Sequence, residues 1–353
     1  MERFLKVNHK FTNTLFEESC VISKYFGHVV KYGTEYQLET FIWILDANKT
    51  YATYSEFFQE IQLDSFTSHK VKVICNAYMR EHDHKLRKYY SFILHELRKY
   101  LKNTDTLDVI IGLSGGIDSA LVATIATDAF GSNHVQTVMM PSPYTSTNSI
   151  DDALEIAHRL GVAHMVIRID GLLQSFKEVF SQCMTWEEQD ITEQNLQSRI
   201  RAVILMGLSN KTNSIVLSTS NRSEILTGYF ALYGDSYGGY APISPFLKTQ
   251  VYKLAQWRND NIPESSTLQK KNVIPDSVLR KAPTAELKYN QKDCDTLPEY
   301  DILDQILTAI SCKQDLTTLS IDQETVSMVV ERVRKSEYKR RYLPIGPDLL
   351  EMN

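Results

Sequence analysis

The chain has 353 residues, 43% hydrophobic and 23% charged, with a formal net charge of −5, the composition of a soluble globular protein of one large or two modest domains. The acidic balance gives no support to nucleic-acid binding. Met1-Glu-Arg-Phe-Leu-Lys lacks an apolar signal core and no run reaches transmembrane length, while five scattered cysteines without a C-x-x-C spacing fit reduced thiols in a cytoplasmic protein.

Residues 1 to about 80 carry little pattern. Phe41-Ile-Trp-Ile-Leu and Val71-Lys-Val-Ile-Cys read as short strands, and Tyr54 to Ile61 as a helix. Cys75, His82, Asp83 and His84 lie close in sequence, but no second ligand pair accompanies them. A solvated polar face is therefore a better reading than a metal site. From Lys85 to Leu101 the apolar residues Leu86, Tyr89, Tyr90, Ile93, Leu94, Leu97 and Leu101 keep helical spacing. This helix delivers the chain into Val109 to Leu113, an apolar run of the buried-strand type.

Next comes Ser114-Gly115-Gly116-Ile117-Asp118-Ser119, and then a helix from Ala120 to Phe130 that stops at Gly131. Strand, glycine turn and helix together form a phosphate cradle. Adjacent glycines let backbone N–H groups approach an anion, and the helix start adds the positive end of its dipole. The turn lacks the G-K-[ST] ending of a Walker A loop. It carries Asp118 instead, a hard oxygen ligand suited to magnesium beside phosphates. The competing reading is a tight turn with Ser119 or Asp118 as helix N-cap.

The strand–helix alternation continues. Val135 to Met140 and Ala163 to Ile169 read as strands, with a helix from Ser149 to Leu160 between them. A strong helix over Glu193 to Leu208 and a short strand over Ser214 to Leu217 follow. This order predicts an α/β fold, a doubly wound parallel sheet flanked by helices. Ligands in such sheets bind at the carboxyl ends of the strands, where the Ser114 turn and the segment from Ser218 both fall. Asn221 to Pro245 reads as a glycine-rich loop, and Thr249 to Arg258 as a helix. Asn259 to Asp301, with four of the ten prolines, is irregular and therefore a candidate functional loop. Helices over Ile302 to Ile310 and Gln323 to Lys335 lead into Ser336-Glu-Tyr-Lys-Arg-Arg-Tyr.

S-G-G-x-D-S resembles the signature of the ATP pyrophosphatase family. The resemblance narrows with Met140-Pro-Ser-Pro-Tyr-Thr-Ser, Gln194-Asn-Leu-Gln-Ser-Arg-Ile-Arg, Ser218-Thr-Ser-Asn-Arg-Ser-Glu, Leu232-Tyr-Gly-Asp, Gly238-Gly-Tyr-Ala-Pro-Ile, Lys248-Thr, Pro283-Thr-Ala-Glu-Leu and Tyr338-Lys-Arg-Arg. In this order, over Tyr78 to Pro347, they resemble the synthetase domain of the NAD synthetases, and more closely its glutamine-dependent form. The resemblance implies a Rossmann-like ATP-pyrophosphatase domain over residues 81–353, a small N-terminal extension over 1–80, and the family's reaction. In that reaction ATP adenylates the nicotinate carboxylate of deamido-NAD, and ammonia displaces AMP to give NAD.

It also implies roles. Gly112, Leu113, Ser114, Gly115, Gly116, Ile117, Asp118 and Ser119 would cradle the ATP phosphates, with Thr219, Lys248 and Thr284 as further ATP contacts. Asp118 and Glu224 would hold Mg2+, with Asp118 and Lys248 catalytic. Asn195, Glu224, Tyr229, Phe230, Ala231, Leu232, Asp235 and Lys339 match the deamido-NAD side. For Arg199 and Arg201, stems covering apolar surface with their charges in water is an equal reading. The basic run Arg332 to Arg341 would be a solvated face by composition and a substrate-binding tail by resemblance. Leu232 stands where many ammonia-dependent members carry Lys. The glutamine-dependent branch carries a long nitrilase-type glutaminase domain, whereas only about 80 to 100 residues precede the synthetase region here. Neither Cys20 nor Cys75 has a nucleophile's context. Free ammonia, a separate glutaminase subunit or a truncated chain follow as alternatives. A C2 homodimer is expected, with the apolar stripe Leu196, Ile200, Val203, Ile204 and Leu208 either at its interface or in the core. Another ATP pyrophosphatase, such as a tRNA-modifying enzyme or GMP synthetase, and a non-catalytic synthetase-like binding module are the competing functions.

Overall fold

The computed structural model describes the backbone of residues 65–352 and of four two-residue strands before them, with side chains described for 83–351. Two compact units divide at Lys85 and Leu86. In the first, Phe4–Leu5 pairs in parallel with His28–Val29, and Lys31–Tyr32 pairs antiparallel with Glu35–Tyr36. The strand expected over Phe41 to Leu45 and the helix over Tyr54 to Ile61 lie outside the described residues. Val71 to Cys75 is not a strand: it lies within helix α1 (Ser65–Lys102). The alternation of Val71, Lys72 and Val73 imitates a strand, but no glycine or proline interrupts the 38-residue helical run that contains it.

The second unit is built on four parallel strands: β1 (Val109–Gly112), β2 (Val135–Met139), β3 (Ala163–Val166) and β4 (Ile215–Val216). Their spatial order is β3-β2-β1-β4, with Val109 opposite Val135 on one side and Ile215 on the other. α2 (Ile117–Phe130) connects β1 to β2, and α3 (Thr147–Leu160) connects β2 to β3. α4 (Asp170–Phe180) and α5 (Ile191–Thr212) precede β4.

Strand alternation sends side chains to both faces, and both are covered. Val109, Ile111 and Leu113 pack with α1, α2 and α3. Ile110, Val138 and Val216 pack with Leu173 of α4 and Leu196, Ile200 and Leu205 of α5. Strands buried on both faces read as continuous apolar runs, which is why Val109 to Leu113 was legible. The strand expected to Ile169 ends as a regular ladder at Val166, although Ile167 and Ile169 still donate to Met139 and Pro141 carbonyls. α5 extends past its expected ends because Asp190 caps it, accepting from Glu193 N at 2.8 Å, and Asn213 terminates it in the left-handed region.

After β4 come α6 (Arg222–Thr227), α7 (Lys248–Asp260), α8 (Asp276–Arg280), α9 (Tyr300–Ser311), α10 (Gln323–Lys335) and α11 (Glu337–Arg340). α9 and α10 bury Leu303, Ile306, Leu307, Val326 and Val329 in a core of their own.

α2 and α7 run side by side in the same direction, joined by an ion pair near each end. Asp118 meets Lys248 at their starts, and Asp128 meets Arg258 ten residues on. Both Asp128 and Arg258 are fully buried. Arg258 donates to both Asp128 oxygens, at 2.6 and 2.8 Å, and to the carbonyls of Asn261, Lys270 and Leu268. Tyr90 and Ser266 donate to the same carboxylate. Among the described residues no helix is long and apolar enough to cross a membrane.

Candidate active site

The Ser114–Ser119 turn lies at the carboxyl end of β1, where the sheet topology opens a ligand crevice. Gly115 has φ +77, and a Cβ there would overlap the Ser149 carbonyl of α3, so only glycine fits the turn. Gly116 occupies the N-cap of α2 and no side chain caps the helix. That removes the competing reading, in which Ser119 or Asp118 served as cap. Ser119 instead donates from Oγ to the Gly116 carbonyl at 3.0 Å and accepts from Ser114 N at 3.2 Å. The hydroxyls brace the turn, and the first-turn N–H groups of α2 are left for an anion.

Asp118, Glu224 and Lys248 converge there from three helices. Lys248 Nζ lies 2.5 Å from Asp118 Oδ2 and 3.4 Å from Glu224 Oε1. The lysine side chain is 5% exposed, against 16% and 18% for the carboxylates. Glu224 sits in α6, within the region expected to be loop. Asn221 makes this short helix possible through a capping box, accepting from Glu224 N at 3.0 Å while Glu224 Oε2 accepts from Asn221 N. The same Asn221 donates to Asp118 Oδ1 at 2.9 Å. Ser223 of α6 ties in α7, accepting from Lys248 N and donating to Asp304, which also accepts from Thr249.

Burial and the neighbouring Asp118 push the Glu224 carboxyl up to about 8, against the opposing pull of Lys248. For Lys248, burial works against the charge, but the Asp118 and Glu224 carboxylates outweigh it and raise its pKa. Asp293 stands behind them. It accepts from Tyr300 OH at 2.8 Å and Tyr229 OH at 3.2 Å, and the Tyr300 ring centroid lies 5.3 Å from Lys248 Nζ. Burial raises the Asp293 pKa in spite of these partners.

Asp118, Glu224, Tyr229, Lys248 and Asp293 line one cavity of about 260 Å³. Of the residues expected at the phosphates, Gly112, Leu113, Ser114, Gly116, Ile117, Asp118, Ser119, Thr219, Lys248 and Thr284 all line it, while Gly115 shapes the turn. On the second-substrate side, Glu224, Tyr229, Phe230 and Asp235 line it. Asp235 Oδ1 accepts from Ala231 N at 2.8 Å. Ala231, Leu232, Asn195 and Lys339 do not line the cavity. Leu232 offers its carbonyl to Arg199, and Lys339 donates to the carbonyls of Gly228 and Phe230, fixing that loop from α11.

The two arginines of α5 part company. Arg201 lines the cavity, with Nε on the Met140 carbonyl, and its surroundings lower its pKa to about 10 through desolvation. Arg199 points outward and is exposed. In the basic run near the C-terminus, Arg332 and Arg340 bind main-chain carbonyls, and Arg334 and Arg341 pair with Glu331 and Glu337. Asn221, Tyr252, Lys281, Asp293 and Tyr300 were not anticipated. Only Asn221 had a local signal, because Asn221-x-x-Glu224 has capping-box spacing. Among the described residues no group of three His, Cys, Asp or Glu side chains is arranged to hold a metal ion; the side chains of Cys75 and His82 lie outside them.

A parallel sheet with an uncapped, glycine-led helix start over a carboxylate–lysine cluster defines an α/β fold of the ATP-pyrophosphatase type. Within that class the chain belongs to the NAD synthase family, whose model matches residues 89–343. The glutamine-dependent NAD(+) synthetase of Acinetobacter baylyi is 44% identical over 73% of this chain and 47% of its own. The glutamine-dependent NAD+ synthetase of Acinetobacter baumannii, solved with adenosine diphosphate, is 40% identical with a TM-score of 0.52, over 74% of this chain and 46% of that one. The NMN synthetase of Francisella tularensis is 26% identical with a TM-score of 0.61, over 72% and 95%. The chain thus spans about half the length of the curated relatives it matches.

Proposed function

We propose that this protein makes NAD, adenylating the nicotinate carboxylate of deamido-NAD with ATP and amidating the product with ammonia. The observation that carries this reading is the convergence of Asp118, Glu224 and Lys248 on an uncapped helix start, in a chain of the NAD synthase family. A carboxylate is a poor acyl donor until its oxygen carries a good leaving group. Its oxygen attacks the α-phosphorus, the bond to the bridging oxygen breaks, and pyrophosphate leaves. Ammonia then attacks the acyl carbon, the carbon–oxygen bond to AMP breaks, and the nitrogen gives up a proton to water, leaving the amide.

The first step gathers negative charge, so it needs preorganised donors and cations. The α2 N–H groups and Lys248 supply them. The residues also fit Mg2+. Two carboxylates buried side by side already hold a cation between them, the Lys248 ammonium, and both are hard oxygen donors. Asp118 and Glu224 would hold the ion, which would neutralise phosphate charge when bound. Tyr229, Phe230 and Asp235 would face deamido-NAD, with Lys339 shaping their loop from behind. The amidating nitrogen is ammonia, supplied free or by a glutaminase.

We further propose a C2 homodimer through α5. The stripe read from the sequence divides: Leu196 and Ile200 are buried in the core, whereas Val203 is 72% exposed, with Met206 exposed beside it. The function is tested with purified protein, ATP, magnesium and ammonium. Pyrophosphate release dependent on deamido-NAD, with equimolar NAD, is expected. Release without deamido-NAD, or none with it, rejects the reading.

A further inference from the structure

We propose that Lys281 is a second phosphate-binding cation of the adenylation step, moving from Ser149 and Asp152 onto the pyrophosphate as it leaves. The inference rests on the function proposed above. Its first support is position. The Ser149 carbonyl packs against Gly115 at the phosphate turn, and Lys281 Nζ lies 2.5 Å from Ser149 Oγ. Lys281 lines the same cavity as the turn.

The second support is charge. The cavity is lined by five carboxylates, Asp118, Glu224, Asp235, Glu286 and Asp293, and by three cations, Arg201, Lys248 and Lys281. Lys248 is held between two carboxylates, and Arg201 is fixed on the Met140 carbonyl. Lys281 differs from both. Its shortest contact is a neutral hydroxyl, and its carboxylate partner Asp152 is 3.5 Å away and already accepts from Ser277 at 2.6 Å. Its side chain is 24% exposed, where that of Lys248 is 5% exposed. Of the two lysines, Lys281 gives up less on turning toward an incoming polyanion, since Lys248 lies between two carboxylates.

The third support is reach. A lysine carries a point charge on a flexible four-carbon stem. The main chain behind it is fixed, with the Lys281 carbonyl accepting from Tyr252 OH and Glu286 anchored by the Ser146 and Ser149 hydroxyls. Only the side chain has to move. As the α-phosphorus–oxygen bond breaks, its electron pair stays on the β-phosphate oxygen. Lys281 transfers no proton in this step, so its contribution is electrostatic.

The test compares wild type, Lys281→Ala and Lys281→Arg in the full chain, with Lys281→Met replacing the alanine variant should that misfold. Calorimetric titration with magnesium pyrophosphate needs no turnover, so it decides this inference even if the proposed function fails. Loss of one charge-assisted contact predicts about 10–100-fold weaker pyrophosphate binding in Lys281→Ala, with most of the affinity kept in Lys281→Arg. In the steady state KM for ATP rises, while KM for deamido-NAD stays within about twofold, a single contact being lost from one substrate only. A residue that merely joined α3 to α8 would lower the melting temperature and the active fraction without changing pyrophosphate affinity. That result, or no binding by wild type, overturns the proposal.

Discussion

Arg258→Met tests whether the two parallel helices under the site are held in register by the ion pair far from it. The guanidinium is fully buried and makes two hydrogen bonds to Asp128 and three to carbonyls. Methionine fills much of the space but supplies no donor. Among the described residues, the Asp128 carboxylate then keeps only Tyr90 and Ser266 as hydrogen-bond partners. Removing one partner of a buried pair costs about 3–5 kcal/mol, mostly because the other charge is left uncompensated. For a domain of this size each kcal/mol is worth about 2–4 °C, so the melting temperature should fall by about 6–20 °C. Asp128→Asn combined with Arg258→Met should recover part of that loss, since no buried charge then stands alone. Ten residues of helix separate Asp128 from Asp118, about 15 Å. A loosened register should therefore lower turnover below the melting range as well. Thermal unfolding by circular dichroism, with pyrophosphate release at 20 °C or so, measures both. A shift under about 2 °C, or a double variant no better than the single, refutes the reasoning.

Asp118→Asn should keep the fold and lose most pyrophosphate release, because an amide cannot supply the charge a magnesium ligand needs; near-normal release at ordinary magnesium rejects the assignment. Gly115→Ala, at φ +77 and against the Ser149 carbonyl, should be destabilised by at least about 1–2 kcal/mol of left-handed strain and should bind ATP poorly; wild-type ATP affinity would show that the turn does not cradle phosphate. His164 has its Nε2 buried without a partner and its Nδ1 2.9 Å from Thr137 Oγ1, and burial lowers its pKa. The folded state thus resists protonation, so this contribution is full above the unfolded pKa of about 6.5 and is lost as pH falls below it. His164→Gln should flatten that part of the stability profile, and an unchanged acid limb would assign the loss to other groups.

The glycine turn and its helix start were legible because their parts are contiguous. Strand, glycine turn and helix occupy Val109 to Phe130, and each has a local cause: apolar strand residues, a left-handed glycine, and a helix start without a competing cap. The doubly wound sheet was legible for the same reason, since strand and helix periods alternate in order. Ends and short elements fared worse. α6 was hidden in what looked like loop, although its capping box spells itself out, and Val71 to Cys75 imitated a strand inside a long helix.

What stayed hidden depends on distance along the chain. In sequence Arg258 is only the end of a helix; its partner Asp128 lies 130 residues earlier. Lys248 is paired with Asp118 across the same separation. These equal offsets follow from two parallel helices of like rise, so the register that buries the lower pair also brings the upper one together. Lys281, Asp293 and Tyr300 belong to the proline-bearing segment that no periodicity describes; Lys281 and Asp293 take their meaning from the cavity they line, and Tyr300 from its hydrogen bond to Asp293. A carboxylate at Asp293 is an ordinary surface acid in sequence. Beside Tyr229, Tyr300 and Lys248 it becomes one of five acids around a cavity lined by only three cations, and under the proposed function that excess of negative charge is what a bound polyanion and its metal ion would have to answer.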